Sequence, residues 1–212
     1  MSIVAMQYDA SGTPSSRGRL IFLIGPSGSG KDSLIDAARE QLLTQGVEIA
    51  RRVITRSAEA KGEAAVGVSA ERFETMRQSG EFALSWQANG LSYGIPIQVD
   101  DWLDQGLSVL VNGSRGYLAR ARERYPDLLA VGLAVSPQVL RERLLARGRE
   151  SHEEVEQRLA RSAGMQAYDA SVHVLDNSTS LSNAVEALLR LLGEHGALGP
   201  SPENNPTCKL PD

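Results

Sequence analysis

The 212-residue chain has a formal charge of −4 and is 42% apolar, which suffices for one compact domain with a sizeable core. The acidic balance argues against a general nucleic-acid binder, and the single cysteine, Cys208, allows neither an internal disulfide nor a thiolate metal cage. No apolar run approaches the ~18 residues that span a bilayer, so a cytoplasmic protein with no nucleic-acid and no membrane partner is expected.

Residues 1–18, with Ser11, Gly12, Pro14, Ser15 and Ser16, lack periodicity and read as a flexible leader. The apolar run Leu20–Ile24 then reads as a strand, followed by a glycine-rich loop and a helix over 31–45. Further strands are expected at 47–54, 107–111, 128–135 and 172–175, and helices at 114–124, 137–147, 152–167 and 180–193. Several of these strands lack polar alternation, as strands covered on both faces do. The alternation predicts an α/β, three-layer fold with a parallel sheet. The stretch 57–96 breaks the rhythm with a helix over 69–78, strands over 82–87 and 91–95, and the turn pair Asn89-Gly90 between them. It reads as a small inserted α+β lobe. The domain is expected to run from 19 to 196, with a lid at about 147–152 and a flexible tail over 197–212.

The loop between the first strand and helix is Gly25-Pro26-Ser27-Gly28-Ser29-Gly30-Lys31. Strand, glycine loop and helix in this order are what a P-loop requires: backbone N–H groups cradle the phosphates of ATP beside the helix N-terminus, and Lys31 reaches the β and γ oxygens. The next position, normally Ser or Thr holding Mg²⁺ through its hydroxyl, is Asp32. A carboxylate is a hard ligand for Mg²⁺, directly or through water, but an acid in a first helical turn also complements the helix dipole. Ser33 follows one residue too late to replace the hydroxyl simply.

Only three lysines occur, Lys31, Lys61 and Lys209, so almost all positive charge is arginine. Its planar fork suits phosphate, although a GC-rich coding sequence produces the same bias. Arg147 and Arg158 stand where a lid would place cations on the transferred phosphoryl group. Arg149 and Arg161 fit either that role or a salt-bridged helix face, and Arg141 and Arg143 the latter. Arg56 follows Thr55 at the expected end of the second core strand, the usual ligand edge of an open sheet, and is assigned to the acceptor. Asn112, Ser114 and Arg115 follow the next strand in the same way, with a plain helix cap as the other reading of Ser114. Trp86, Gln87 and Tyr93 form either a wall of the acceptor site or the core of the lobe.

Over most of 19–193 these residues resemble the guanylate kinase fold: the GPSGSGK loop, Ile54-Thr55-Arg56, Gly80-Glu81-Phe82 leading to Tyr93-Gly94-Ile95-Pro96, and Arg147-Gly148 followed by Glu156-Gln157-Arg158-Leu159. The departures lie in the base site. Leu84 stands where guanylate kinases read guanine with a glutamate, Ser57-Ala58-Glu59 lacks their second phosphate-gripping arginine, and Val111-Asn112-Gly113 replaces their Asp-x-Asp. With these replacements the chain looks like the ribose 1,5-bisphosphate phosphokinases of phosphonate catabolism, which share the segments Gly25 to Ser33, Ile54 to Arg56, Ala83 to Trp86, Asn89 to Gly94, Val109 to Arg115 and Arg147 to Glu150.

The resemblance implies a magnesium-dependent kinase that moves the ATP γ-phosphate onto a phosphorylated sugar and forms 5-phosphoribosyl 1-diphosphate. Lys31, Arg147 and Arg158 would act at the transferred group; Gly25, Pro26, Ser27, Gly28, Ser29, Gly30, Lys31, Asp32 and Ser33 would hold the nucleotide. Arg56, Trp86, Tyr93, Asn112 and Arg115 would face the acceptor, and Asp32 the metal. Asn177 is expected near the adenine by family analogy, with a terminal turn as the other reading. A nucleoside monophosphate kinase and an inactive interaction module are the competing expectations, and a homodimer is compatible with the sequence.

Overall fold

The computed structural model describes residues 18–55, 65–148, 151–163 and 168–199. Five strands form a parallel sheet: β1 (Leu20–Ile24), β2 (Val47–Ala50), β7 (Ser108–Asn112), β8 (Leu129–Ala134) and β9 (His173–Asp176), in the order β2-β7-β1-β8-β9. β1 is central, pairing with β7 and β8, and all five of its residues are buried. Its side chains alternate between two cores, as the pleat demands. Ile21 and Leu23 pack with α1 (Lys31–Thr44) and α7 (Leu181–Glu194); Leu20, Phe22 and Ile24 pack with α3 (Gln98–Asp104) and α4 (Leu118–Arg124). Helices therefore cover both faces, and the three-layer expectation holds.

A second sheet, ordered β4-β3-β6-β5, is built from β3 (Val53–Ile54), β4 (Val66–Gly67), β5 (Phe82–Ala88) and β6 (Leu91–Pro96). The β5–β6 hairpin turns at Asn89 and Gly90, both at positive φ, as the Asn-Gly pair predicts. α2 (Ala70–Gln78) starts at Ser69, whose hydroxyl accepts from the Arg72 N–H, and seats Phe73 against Phe82 at 4.8 Å between ring centroids.

One strand expectation needs correcting. The apolar run over 47–54 is two strands in different sheets: β2 ends at Ala50, Arg51 and Arg52 leave the core sheet, and β3 pairs with β6 of the lobe. Likewise the helix read over 114–124 is a single 3-10 turn, Arg115–Tyr117, leading into α4. α3 was not anticipated at all.

From β1 the chain crosses to the β2 edge, whereas from β7 it crosses β1 to reach β8. Loops leaving β1 and β7 thus diverge at the carboxyl edge of the sheet, which is where open α/β sheets bind ligands. Two further helices, α5 (Pro137–Arg147) and α6 (His152–Ala163), form a hairpin between β8 and β9. Leu140, Leu144 and Val155 make its small core, and an Arg141–Glu156 ion pair of 2.5 Å joins the helices outside.

Candidate active site

The loop after β1 turns back through Gly28 and Gly30, at φ 92° and 89°, a region that side chains disfavour. A Cβ on Gly28 would lie 2.9 Å from Leu144 Cδ2, and one on Gly30 2.8 Å from Asn177 Nδ2. Gly30 also caps α1 and, being glycine, brings no capping side chain to the helix N-terminus, an arrangement that favours an anion. Lys31 opens α1 and donates from Nζ to the carbonyls of Gly25 (3.0 Å) and Pro26 (3.2 Å), so the ammonium lies over the loop.

The loop is braced from outside itself. Asn177, 1% exposed after β9, donates from Nδ2 to the Ser29 carbonyl at 2.7 Å. Arg143 of α5 reaches the same carbonyl at 3.4 Å, and Arg158 of α6 donates to Ser27 Oγ at 2.8 Å. Asn177→Ala removes the Asn177 bond and leaves the Ser29 carbonyl with the weaker Arg143 contact. We expect a loss of about 1–3 kcal/mol in urea unfolding and a several-fold rise in the KM for ATP.

Asp32 is the second knot. Its Oδ1 accepts from Asn112 Nδ2 at 2.7 Å and lies 3.7 Å from the Arg52 guanidinium. Asn112 ends β7 and is buried, with its Oδ1 lacking a protein hydrogen-bond partner. Arg52 in turn lies over Tyr93 at 5.4 Å. Tyr93 stacks on its cross-strand neighbour Trp86 at 5.6 Å, and Trp86 on Tyr117 at 5.4 Å.

Arg115, at the start of the 3-10 turn, stacks over Tyr168 at 4.4 Å. The Tyr168 hydroxyl donates to the Leu133 carbonyl at 2.9 Å, and burial raises its pKa against the opposing effect of Arg115. The ring fits because residue 132 of β8 is glycine: a Cβ there would lie 2.7–2.9 Å from three ring atoms. Gly132→Ala should therefore displace Tyr168 and with it Arg115, costing about 1–3 kcal/mol by overpacking. Urea unfolding beside steady-state rates would check this, with activity falling further than stability alone explains.

The loop, the lobe and the α5–α6 hairpin enclose one cleft of about 780 Å³, a volume typical of ligand sites. Gly25, Pro26, Ser27, Gly28, Gly30, Lys31 and Asp32 form its floor; Trp86, Gln87 and Tyr93 its lobe wall; and Ser114, Arg115 and Tyr117 the side after β7. Glu154 and Arg158 close it from α6. Glu154 forms a capping box with Ser151, and those hydrogen bonds hold its carboxyl below the usual carboxylate range.

Of the residues named from sequence, Ser29, Asn112 and Asn177 are buried behind the cleft as supports, and Ser33 is exposed on α1 away from its lining. Arg56 and Arg149 lie outside the described residues, as do the side chains of Arg147 and Arg161. Sequence reasoning missed Arg52, Tyr117 and Tyr168. Arg52 was hidden inside an apparent strand, and its only signal is a charge pair, Arg51-Arg52, interrupting an apolar run.

Known proteins identify the family. A family model described as guanylate kinase matches residues 17–195. The guanylate kinase of Anaplasma phagocytophilum superposes with a TM-score of 0.61 at 21% identity, covering 85% of this chain and 87% of that one, which establishes a common fold. Ribose 1,5-bisphosphate phosphokinase PhnN of Pseudomonas paraeruginosa (strain PA7) is 63% identical over 177 residues, covering 83% of this chain and 96% of that protein. The protein of the same name from Azotobacter vinelandii is 62% identical over 175 residues, covering 82% and 96%. The chain belongs to the ribose 1,5-bisphosphate phosphokinase family, within the guanylate kinase group of P-loop folds.

Proposed function

We infer that the protein transfers the γ-phosphate of ATP to the 1-phosphate of ribose 1,5-bisphosphate, giving 5-phosphoribosyl 1-diphosphate and ADP. The observation that carries this reading is the make-up of the cleft. A phosphate loop faces a lobe wall of Trp86, Gln87, Ala88, Asn89 and Tyr93 that contains no carboxylate among the described residues. Leu84, on the same face of β5 as Trp86, is 3% exposed and packed into the core, so it offers a purine edge no acceptor. Relatives named for phosphorylating ribose 1,5-bisphosphate support the same assignment.

The chemistry needs no general base. An acceptor phosphate is already ionised near neutral pH, so one of its oxygens attacks the γ-phosphorus while the bond to the β,γ-bridging oxygen breaks and ADP leaves. The obstacle is repulsion between two polyanions, which cations and in-line positioning offset. In this reading the loop N–H groups and Lys31 hold the nucleotide, and Arg158, with Arg147, screens the transferred group. Arg115 and Arg56 hold the acceptor against the Trp86–Tyr93 wall.

Magnesium fits the residues present. Among the described residues no three His, Cys, Asp or Glu side chains converge, and Mg²⁺ does not need them: one carboxylate, phosphate oxygens and waters suffice. Asp32, one residue past Lys31 and fixed by Asn112, is that carboxylate. Bound there, the ion would neutralise phosphate charge and align donor and acceptor.

The direct test is a coupled assay of ADP release with ATP and ribose 1,5-bisphosphate, GMP, AMP or no acceptor. Turnover with ribose 1,5-bisphosphate and appearance of the diphosphate by ³¹P NMR are expected. Turnover with GMP alone would overturn the assignment in favour of a nucleoside monophosphate kinase. Among the described residues no helix is long and apolar enough to cross a membrane, and we place the enzyme in the cytoplasm, where its donor ATP is made available.

A further inference from the structure

Arg52 stands at the head of a continuous stack. Its guanidinium lies on the Tyr93 ring, Tyr93 on Trp86, and Trp86 on Tyr117, so the column runs from the chain between β2 and β3, across the lobe hairpin, to the loop after β7. The same guanidinium is 3.7 Å from Asp32 Oδ1, next to the lysine of the phosphate loop. Arg52 is 9% exposed, yet it lines the cleft. A guanidinium held over an aromatic ring at this distance keeps its charge at the wall by a cation–π contact, and its N–H fork is the group that suits a phosphate.

The other cleft cations are anchored elsewhere. Lys31 and Arg158 bond to the loop itself, through Gly25, Pro26 and Ser27, and Arg115 is stacked on Tyr168 beside β8. Arg52 enters from the lobe side and ends beside Asp32, where the floor of the nucleotide cradle meets the acceptor wall. A second polyanion arriving over that wall must bring one of its phosphates to this corner to reach the γ-phosphate. Its charge there has to be matched, since an unpaired charge in a partly desolvated cleft is costly.

We propose that Arg52 is an acceptor-binding residue: it binds the 1-phosphate, the attacking group, and Tyr93 is the positioning residue that holds its guanidinium at the wall. The aromatic column then stiffens the lobe wall beside the sugar while Arg52 fixes the phosphate that reacts. This inference rests on the functional reading above and adds to it the residue that holds the attacking phosphate.

The test is a set of Michaelis constants for Arg52→Ala, Arg52→Lys, Tyr93→Phe and Tyr93→Leu, with wild type alongside, each variant checked by thermal melting. Arg52→Ala should raise the KM for ribose 1,5-bisphosphate about ten- to a hundredfold, the loss of one or two charge-assisted hydrogen bonds, and change the KM for ATP less than about threefold. Arg52→Lys, which keeps charge but loses the fork, should fall between and remains informative if the alanine variant does not fold. Tyr93→Phe, which keeps the ring under the guanidinium, should raise the acceptor KM less than Tyr93→Leu does, and neither should change the KM for ATP by more than about threefold. An unchanged acceptor KM in both Arg52 variants, or an equal rise in both KM values, overturns the proposal. Wild type that turns over no ribose 1,5-bisphosphate overturns instead the functional reading beneath it.

Discussion

Lys31→Ala is expected to lower kcat/KM by about a thousandfold while the protein stays folded. The residue is the first of α1, and the buried contacts of that helix belong to Leu34, Ile35, Ala38 and Leu42, so the truncation removes no core. Its hydrogen bonds to Gly25 and Pro26 are partly solvated and together contribute about 1 kcal/mol, while alanine is the better helix former. What is lost is a positive charge over the centre of the phosphate loop, where negative charge must be matched during transfer. Lys31→Arg should rescue little, because a planar fork cannot take the place of a compact ammonium in so narrow a turn. Steady-state kinetics beside urea unfolding would separate the two effects. Activity within tenfold of wild type, at unchanged stability, would remove Lys31 from the transfer step.

The reason this residue could be named from sequence is that its surroundings are local. Strand, loop and helix succeed one another over 20–44 in a pattern readable without the distant residues that brace the loop, and the glycines carry their meaning in the backbone: Gly28 and Gly30 do sit at positive φ. The parallel sheet was legible for a similar reason, since strands buried on both faces leave uninterrupted apolar runs such as Val109-Leu110-Val111. The lobe hairpin was legible from Asn89-Gly90.

What failed was whatever depends on residues far apart in the chain. An apolar run gives no sign that it changes sheet halfway, so β2 and β3 were merged and Arg52 went unnoticed between them. α3 has seven residues and two consecutive acids, too short for a periodicity to declare itself. Tyr168 matters only because Gly132, 36 positions earlier, makes room for its ring beneath Arg115. For Asn177 the expectation was a place near the adenine or a terminal turn; the contact it makes, with the Ser29 carbonyl at the back of the loop, was not readable from sequence. In each case the chain places a supporting residue where only the assembled sheet edge gives it a partner.

Asp32 is where local and distant requirements coincide, and substituting it should have the second largest effect. Removing the carboxylate in Asp32→Ala leaves the buried Asn112 amide without its acceptor and takes the counter-charge from Arg52. A loss of about 1–3 kcal/mol in stability is expected, together with a fall in kcat of about a hundredfold, the order found when one electrostatic contributor to a transition state is removed. Asp32→Asn divides these contributions. Its side-chain carbonyl still accepts from Asn112, so part of the lost stability should return, but the charge that faces Arg52 and suits Mg²⁺ is gone. The asparagine variant should therefore fold normally and need several-fold more Mg²⁺ for half its maximal rate. Asp32→Ser restores the hydroxyl that usually follows a P-loop lysine, and should recover more activity than alanine at ordinary Mg²⁺ concentrations. Rates measured against Mg²⁺ for the three variants decide the matter: if asparagine shows the wild-type Mg²⁺ dependence, Asp32 serves the fold by anchoring Asn112 and Arg52, and the metal is held by other groups.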